Sequence, residues 1–283
     1  MDLCDRKDIQ SLLARHGFHF AKSLGQNFLI RGDVAEAIAD AGCIPGCGVL
    51  EVGPGIGALT VQLARRAEKV VSVELDKRLP PVLAETVAGY GNFTLIEGDV
   101  MKLSLAEVAA EQFQGLEPVL CANLPYNITT PFLTECVRAG CFRQLTVLIQ
   151  KEVAQRICAR PGTGEYGAFT VLMQYYTEPE LLFEVPNTCF MPPPKVTSAV
   201  VRCVTRWETP VRVVSEEAFW RTVRAGFALR RKTLVNSLQT GWQLPKERLA
   251  GIVESCGLPP TVRGEALGLE EYARLADALA AAE

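Results

Sequence analysis

Residues 49–60, with the sequence VLEVGPGIGALT, decide the fold of this chain. A run of apolar and β-branched residues ends at Val52, three glycines alternate with other residues from Gly53 to Gly57, and an amphipathic stretch follows. This pattern predicts a buried strand, a tight turn and the start of a helix. Because glycine has no Cβ, the backbone of this turn can lie close to a ligand.

The alternation of short apolar runs and amphipathic stretches continues from this turn to residue 150. It predicts successive βαβ units, and therefore an α/β fold with a doubly wound, Rossmann-like parallel sheet. Two further strand-like runs, 181–185 and 199–204, are separated by a proline-rich loop without a helix, so we expect them to pair antiparallel at one side of the sheet. The strands expected in the parallel part are 49–52, 70–74, 94–97, 119–122 and 145–149.

The pattern becomes helical after residues 206–210, which we interpret as a linker. Tyr272, Leu275 and Leu279 have the i, i+3, i+7 spacing of one buried helix face. We therefore predict two domains, residues 1–206 and a small helical domain of residues 207–283. The helices expected in the second domain are 216–229, 234–238, 246–256 and 270–281.

Composition limits the class of protein. The chain has 283 residues, of which 48% are hydrophobic and 22% charged. These fractions are typical of one or two globular domains and exclude a disordered or fibrous chain. No apolar run approaches the roughly 18 residues of a membrane span, and the charged amino terminus is unlike a secretory signal. We therefore expect a cytoplasmic protein without a membrane partner.

The cysteines and histidines bear on redox and metal chemistry. The ten cysteines are scattered and often lie in apolar runs, which is typical of reduced thiols packed as small apolar side chains. The only histidines are His16 and His19, and the closest cysteine pair, Cys43 and Cys47, has no further ligand nearby. We therefore expect no metal site.

Two acidic residues end strands next to the glycine-rich turn. Glu74 lies 21 residues after Gly53, where a carboxylate can accept the ribose hydroxyls of a nucleoside. Asp99 lies 25 residues further on, where it could accept an adenine amino proton beside the backbone N–H of Val100. Each acid alone could be a solvated strand end, but together they favour a nucleoside ligand. The glycine spacing is GxGxG instead of the GxGxxG of NAD-binding folds, and no second mononucleotide-binding half of the fold follows. Both features favour S-adenosylmethionine over NAD as the ligand.

The tetrapeptide Asn123-Leu124-Pro125-Tyr126 follows the fourth expected strand, 24 residues after Asp99. An enzyme that methylates the exocyclic amine of adenine must activate a poor nucleophile, because the lone pair of this amine is delocalised into the ring. The amide oxygen of Asn123 and the carbonyl of Leu124 could accept its protons while Tyr126 stacks on the base. An asparagine-proline turn is the structural alternative, but its position at the crevice favours the catalytic interpretation.

Basic residues are concentrated in one region, although the chain has 29 basic and 32 acidic side chains and a net charge of −3. Nine basic residues and three acidic ones lie between Phe190 and Lys232, a local charge of +6. A solvated helix face is the alternative, but no acid lies between Glu217 and Lys232, so RNA phosphates are the expected counter-charge. The residues predicted to bind RNA are Lys195, Arg221, Arg224, Arg230, Arg231 and Lys232.

Four stretches together resemble the ribosomal RNA adenine N6,N6-dimethyltransferase family. The resemblance covers about residues 20–275, and it implies that Asn123 lies between cofactor and target base. It also implies that Asn27 and Leu29 close over the cofactor, that Gly53 lies beneath its methionine part, and that Glu74 holds its ribose and Asp99 its adenine. The residues expected to contact the cofactor are thus these five with Asn123, together with Gly55 and Val100 from the local pattern. Phe190 is the candidate for the second face of a sandwich around the extruded adenine. The stretches are SLGQNFL at 23–29, NLPY at 123–126, FMPPPKV at 190–196 and RRKTLVNSL at 230–238.

The resemblance implies methyl transfer from S-adenosylmethionine to N6 of two adjacent adenosines near the 3′ end of small-subunit (16S) rRNA. The expected substrate is a pre-ribosomal particle, and we expect the protein to be a monomer. A resistance-type enzyme that dimethylates large-subunit RNA is the alternative, although residues 230–238 resemble the small-subunit branch. A non-catalytic RNA-binding assembly factor on the same fold and, more distantly, a nicotinamide oxidoreductase also remain open.

Overall fold

The computed structural model describes residues 2–20 and 26–283. The chain divides into two compact units. The first contains Met1–Ala154 with Glu178–Thr205, and the second contains Gln155–Thr177 with Arg206–Glu283. Across the described residues, no helix is long and apolar enough to cross a bilayer.

The first unit contains a seven-stranded sheet in the order β4-β3-β2-β5-β6-β9-β7. Strands β2 to β6 run parallel to one another, and β9 runs antiparallel to β6. A separate ladder joins β1 to β8. The strands are β1 (Phe28–Leu29), β2 (Cys47–Val52), β3 (Lys69–Glu74), β4 (Phe93–Glu97), β5 (Glu117–Asn123), β6 (Gln144–Gln150), β7 (Thr177–Val185), β8 (Phe190–Met191) and β9 (Ser198–Thr205).

The sheet confirms the α/β doubly wound class. The five strands expected between residues 49 and 149 are all present, each longer by one or two residues at one or both ends. β7 and β9 are neighbours at one side of the sheet, and β7 begins at Thr177 instead of residue 181. Its first four residues, TEPE, include two exposed glutamates, so no continuous apolar run indicates the start of the strand.

Helices connect the strands of the first unit and continue into the second. The strand order reverses between β2 and β5. From β2 the chain continues to β3 and β4 on one side of the sheet, and from β5 it continues to β6 on the other. Ligands bind outside the carboxyl ends of strands at such a position. The helices are α1 (Arg6–Arg15), α2 (Gly32–Gly42), α3 (Ala58–Ala64), α4 (Pro80–Thr86), α5 (Leu105–Gln112), α6 (Thr129–Ala139), α7 (Lys151–Ile157), α8 (Ala168–Tyr176), α9 (Glu216–Ala228), α10 (Leu234–Leu238), α11 (Lys246–Ser255) and α12 (Leu269–Ala280).

The amino-terminal helix α1 packs beside the glycine-rich turn of the first unit, a placement that the sequence did not indicate. Ile9 and Leu12 of α1 share an apolar cluster with Phe28, Ile56 and Val82. Ile56 belongs to the glycine-rich turn and Val82 to α4, so burial of this apolar surface fixes α1 next to the turn.

The second unit is helical, and its boundary differs in part from the expected one. The division at Thr205–Arg206 lies one residue from the expected limit, but residues 155–177 belong to the second unit instead of the first. Tyr175 of this segment packs against Phe219 with ring centroids 5.1 Å apart. This contact joins residues 44 positions apart, so a local pattern cannot reveal it. The predicted stripe of α12 is confirmed, because Tyr272, Leu275 and Leu279 are all fully buried.

Candidate active site

A cleft of about 1060 Å³, including space open to solvent, lies at the carboxyl ends of the parallel strands in the first unit. It is lined by residues of β2, β3 and β5, of the loop after β4 and of the amino-terminal segment that contains β1. The sequence-predicted residues that line it are Asn27, Leu29, Gly53, Gly55, Glu74, Asp99, Val100, Asn123, Leu124 and Tyr126.

The glycine-rich turn forms one wall of the cleft. Gly53 and Gly55 have φ angles of +67° and +60°, values that favour glycine over other residues. A Cβ on Gly55 would come within 2.9 Å of the Phe28 ring. The turn therefore needs glycine both for its backbone conformation and for its contact with the amino-terminal segment.

Glu74 ends β3 with its carboxylate almost enclosed. It is 6% exposed, and its Oε1 accepts a hydrogen bond of 2.8 Å from the backbone N–H of Asp76. Burial raises the pKa of Glu74, and backbone N–H groups, including that of Gly55, oppose this shift. The backbone therefore fixes the carboxylate in the cleft, where hydroxyl donors of a ligand can reach it.

Asp99 follows β4 and begins a short 3₁₀ helix, Val100–Lys102. Its Oδ1 accepts a 3.0 Å hydrogen bond from the backbone N–H of Met101, and its Oδ2 lies 4.0 Å from Nζ of Lys102. This capping bond holds the carboxylate at the rim of the cleft. Val100 is buried beside it.

Asn123 ends β5 with its amide in a defined orientation. Nδ2 donates a 3.2 Å hydrogen bond to the backbone carbonyl of Asn27. A carbonyl can only accept, so the amide nitrogen must face Asn27 and Oδ1 must face away from it. Among residues 2–20 and 26–283, nothing donates to Oδ1 or to the carbonyl oxygen of Leu124. Two acceptors are thus available to an amine.

Tyr126 is anchored by its hydroxyl group. Its Oη lies 2.7 Å from Oγ of Ser198, a fully buried residue at the start of β9. Burial raises the pKa of the Tyr126 phenol. The phenol therefore stays neutral at physiological pH, and the ring is held at the cleft by its far end. The sequence did not indicate Ser198, because its contact with Tyr126 spans 72 residues.

Phe190 does not line the cleft, contrary to its expected place opposite Tyr126 on a bound base. In β8 it pairs with Leu29 of β1, and its side chain is 0% exposed. It packs in an apolar cluster with Leu148 and Val200 of the main sheet. The short β1–β8 ladder directs this side chain into the core, so Phe190 has a packing role in this structure.

Glu51 is a cleft residue that sequence reasoning missed. It lies in the middle of the buried strand β2, is 1% exposed and lines the cleft. Its Oε2 accepts hydrogen bonds from Oγ1 of Thr60 at 2.8 Å and from Oγ of Ser72 at 2.6 Å. Burial raises the pKa of Glu51 to about 7, while both hydroxyl groups lower it. A charged residue within an apolar run was the available signal.

This raised pKa makes the stability of the ligand-free protein depend on pH. Between about pH 4.5 and pH 7, folded Glu51 holds a proton that the unfolded chain releases, so its contribution to the free energy of unfolding falls as pH rises. The fall amounts to roughly 3 kcal/mol. We expect Glu51→Gln to lose much less stability than the wild type between about pH 5 and pH 8 in urea unfolding.

Glu97→Gln is the control for this measurement, because Glu97 is exposed and does not line the cleft. It should keep the pH dependence of the wild type. An identical pH dependence in Glu51→Gln and in the wild type would show that Glu51 is charged throughout this range.

Two of the predicted RNA-binding arginines make contacts with other residues of the second unit. Arg221 forms two bonds of 2.9 Å with Glu283, and its guanidinium stacks 4.0 Å from the centroid of Trp242. Arg230 donates to the carbonyl of Gly164 and lies 3.5 Å from Glu265. No acid lies between Glu217 and Lys232 in the sequence, but Glu265 and Glu283, which are distant in sequence, reach these two arginines.

The other predicted cations are exposed. α9 ends at Ala228, so Arg224 lies on this helix and Arg231 lies beyond its end. Within the described part of the chain, no acid pairs with Arg224, Arg231 or Lys232. Lys195 is also exposed, in the loop between β8 and β9 of the first unit. Residues 23–25 of the first family-like stretch lie outside the described residues.

The doubly wound sheet, the glycine-rich turn and the acids at the strand ends define a Rossmann-like methyltransferase fold. A family model described as Ribosomal RNA adenine dimethylase matches residues 17–280. The chain therefore belongs to the ribosomal RNA adenine dimethylase family, as the four stretches suggested.

Curated relatives agree with this assignment over nearly the whole chain. A protein of Geobacillus thermodenitrificans named Ribosomal RNA small subunit methyltransferase A is 48% identical, covering 95% of this chain and 94% of its own. A protein of Bacillus cereus with the same name is 46% identical, covering 98% of this chain and 97% of its own.

Solved structures agree as well. The 23S rRNA methyltransferase ErmE is 28% identical with a TM-score of 0.68, covering 90% of this chain and all of its own. A dimethyladenosine transferase from Plasmodium falciparum, 24% identical with a TM-score of 0.72, covers 88% of this chain and 95% of its own, and it shows the same fold.

Proposed function

We propose that this protein transfers methyl groups from S-adenosylmethionine to N6 of two adjacent adenosines near the 3′ end of small-subunit rRNA. The observation that carries the proposal is the oriented amide of Asn123, whose Oδ1 is available at the cleft that Glu74 and Asp99 also line. We place the protein in the cytoplasm, where it acts as a monomer on a pre-ribosomal particle.

The small-subunit target is favoured over the large-subunit one by the relatives. Proteins named as small-subunit methyltransferases are 46–48% identical to this chain, whereas the 23S enzyme ErmE is 28% identical. The stretch RRKTLVNSL at residues 230–238 supports the same choice.

The cleft fits S-adenosylmethionine by the chemistry of its donors and acceptors. Glu74 would accept the ribose hydroxyls, and Asp99 with Val100 would hold the adenine. Gly53 and Gly55 would let the methionine part approach the backbone, while Asn27 and Leu29 would cover it. When bound, this cofactor supplies an electrophilic methyl group on a sulfonium centre.

Asn123 and Leu124 would act on the acceptor amine. Their two oxygens can accept both N6 protons, which favours the pyramidal geometry in which the nitrogen lone pair is available for attack. Preorganised acceptors of this kind cost no reorganisation during reaction. Because the amine becomes cationic on methylation and then releases a proton readily, the site needs no strong base.

Tyr126 would stack on the target base. Its ring is already fixed through Ser198, so little side-chain entropy is lost on binding. One such stacking contact contributes about 1–3 kcal/mol, which is similar to the cost of unstacking a base. Adenines in single-stranded or loop regions should therefore be preferred.

The second unit would bind RNA, and the first would hold the cofactor and carry out catalysis. Exposed Arg224, Arg231 and Lys232 offer cations to phosphates, and Lys195 adds one on the first unit. Arg221 and Arg230 would contribute mainly by holding the helical unit together through Glu283 and Glu265.

Charge reversal tests the role of these exposed cations. Arg231→Glu with Lys232→Glu should weaken RNA binding and reduce the slope of log K against log salt by about one for each lost phosphate contact. Arg248→Glu, an exposed position on α11, is the matched control and should leave the slope unchanged. Equal slopes in both variants would remove Arg231 and Lys232 from the RNA-binding surface.

The target is tested with ribosomal subunits from cells that lack the modification. The protein and methyl-labelled cofactor are incubated with small and large subunits separately, and labelled positions are mapped by primer extension. We expect label at two adjacent adenosines near the 3′ end of small-subunit RNA. Label only in large-subunit RNA would instead favour the resistance-type activity, and no label in either would favour a non-catalytic RNA-binding factor.

A further inference from the structure

The carboxylate of Asp76 joins two distant parts of the first unit. Its Oδ2 accepts a 2.7 Å hydrogen bond from Nε2 of Gln26, 50 residues earlier. Nε and Nη2 of Arg78 donate to its two oxygens at 2.8 and 2.6 Å. Asp76 is 6% exposed, and the Arg78 guanidinium lowers its pKa to about 2, so it is charged at all physiological pH values.

Asp76 also contacts Glu74, the residue proposed to bind the cofactor ribose, through its backbone. Its N–H donates 2.8 Å to Oε1 of Glu74, two residues earlier. A displacement of Asp76 would therefore move a donor that fixes Glu74.

Gln26 extends the connection to the acceptor side of the cleft. The next residue, Asn27, offers the backbone carbonyl that accepts Nδ2 of Asn123 at 3.2 Å. Because this carbonyl decides which way the Asn123 amide faces, the position of Gln26 affects the orientation of Oδ1. Asp76, Gln26 and Asn27 thus form a continuous set of contacts from Glu74 to Asn123.

Arg78 supports Asp76 from the other side. Its Nη1 donates 2.9 Å to the carbonyl of His19, and its guanidinium lies 4.9 Å from the centroid of the Phe18 ring. Phe18 packs with Phe28 in the apolar cluster of α1. The charge of Arg78 is therefore held in place by the amino-terminal segment and cannot easily leave Asp76.

We propose that Asp76 is a positioning residue that holds Gln26 and Asn27 at the cleft wall. It thereby couples Glu74, which would bind the cofactor, to Asn123, which would bind the target amine. This inference rests on the proposed methyl transfer. Asp76 does not line the cleft, and it acts through Glu74 and Asn123, which do.

Exchange of donor and acceptor tests the coupling. Gln26→Met removes the hydrogen bond at similar side-chain size, and Gln26→Glu places a second carboxylate against Asp76. Combining Gln26→Glu with Asp76→Asn reverses the polarity and restores one hydrogen bond, since the new amide can donate to the new carboxylate, although Nη2 of Arg78 then loses the acceptor that it shares with Gln26. Gln26 is partly buried at the cleft wall, so these variants should fold.

The first measurement is methyl transfer to RNA, together with cofactor affinity from calorimetry. We expect Gln26→Met and Gln26→Glu to lower kcat about tenfold or more, because small misplacements of a reacting group are costly. The cofactor dissociation constant should change much less than kcat. The reversed pair should recover part of the kcat lost in Gln26→Glu, because it restores the bond between residues 26 and 76 but not the bond from Nη2 of Arg78.

The second measurement is hydrogen exchange in the ligand-free protein. Backbone amides of residues 27–30 should exchange faster in Gln26→Met and Gln26→Glu, and more slowly again in the reversed pair. Glu85→Gln is the matched control, because Glu85 contacts Arg15 and His16 at the carboxyl end of α1 but does not contact Gln26. It should leave both kcat and this exchange unchanged.

Wild-type kcat and exchange in both Gln26 variants would overturn the coupling. A reversed pair no better than Gln26→Glu alone would do the same. If the wild-type protein transferred no methyl group to RNA, the proposed function would fail, while the exchange data would still decide whether Asp76 positions residues 27–30.

Discussion

Asn123→Ala should lose nearly all methyl transfer while keeping the cofactor. The variant removes Oδ1, the acceptor atom of the side chain. Oδ1 points away from the Asn27 carbonyl because Nδ2 donates its hydrogen bond to that carbonyl. Removal of one preorganised group that stabilises a transition state typically lowers kcat by roughly 100- to 1000-fold, and we expect a loss of that size. A labelled-methyl assay under single-turnover conditions measures it.

Two observations separate this role from a structural one. The cofactor dissociation constant of Asn123→Ala should stay close to that of the wild type, because Glu74 and Asp99 are untouched. Asn123→Asp should also be impaired, since a carboxylate cannot donate to the Asn27 carbonyl and would be repelled by it. Full activity in Asn123→Ala would show that the amide does not act on the amine.

Glu74→Ala should weaken cofactor binding more than any other single change in the cleft. Hydrogen bonds to a charged group contribute about 1.5–3 kcal/mol each, so loss of the carboxylate should raise the dissociation constant by roughly 10- to 100-fold or more. Calorimetric titration with S-adenosylhomocysteine measures the effect without turnover.

Glu97→Ala is the matched control for this variant. Glu97 is directly opposite Glu74 in the β3–β4 register, at the end of the neighbouring strand, but it is exposed and does not line the cleft. It should bind the cofactor like the wild type. An unchanged dissociation constant in Glu74→Ala would instead remove Glu74 from the cofactor site.

The sequence predicted the parallel sheet and its cleft because both depend on local patterns. The strands of the parallel part are short runs of mostly apolar and β-branched residues, and Gly53, Glu74 and Asp99 stand just where such runs end. Glu74, Asp99 and Asn123 could be placed at one edge of the sheet because the carboxyl ends of parallel strands meet there.

The features that the sequence did not reveal depend on contacts between distant residues. The buried position of Phe190 follows from its pairing with Leu29, and the engagement of Arg221 follows from Glu283 at the far end of the chain. The membership of residues 155–177 in the helical unit depends on packing such as that of Tyr175 on Phe219. None of these contacts leaves a periodic or spaced pattern in the residues involved.

The most direct test of the acceptor site is a crystal structure of the protein with S-adenosylhomocysteine and an RNA fragment carrying the target adenosines. We predict that Oδ1 of Asn123 and the carbonyl oxygen of Leu124 each lie within about 3.2 Å of the target N6. A target amine that neither oxygen reaches, with the cofactor product still in the cleft, would contradict the proposed chemistry.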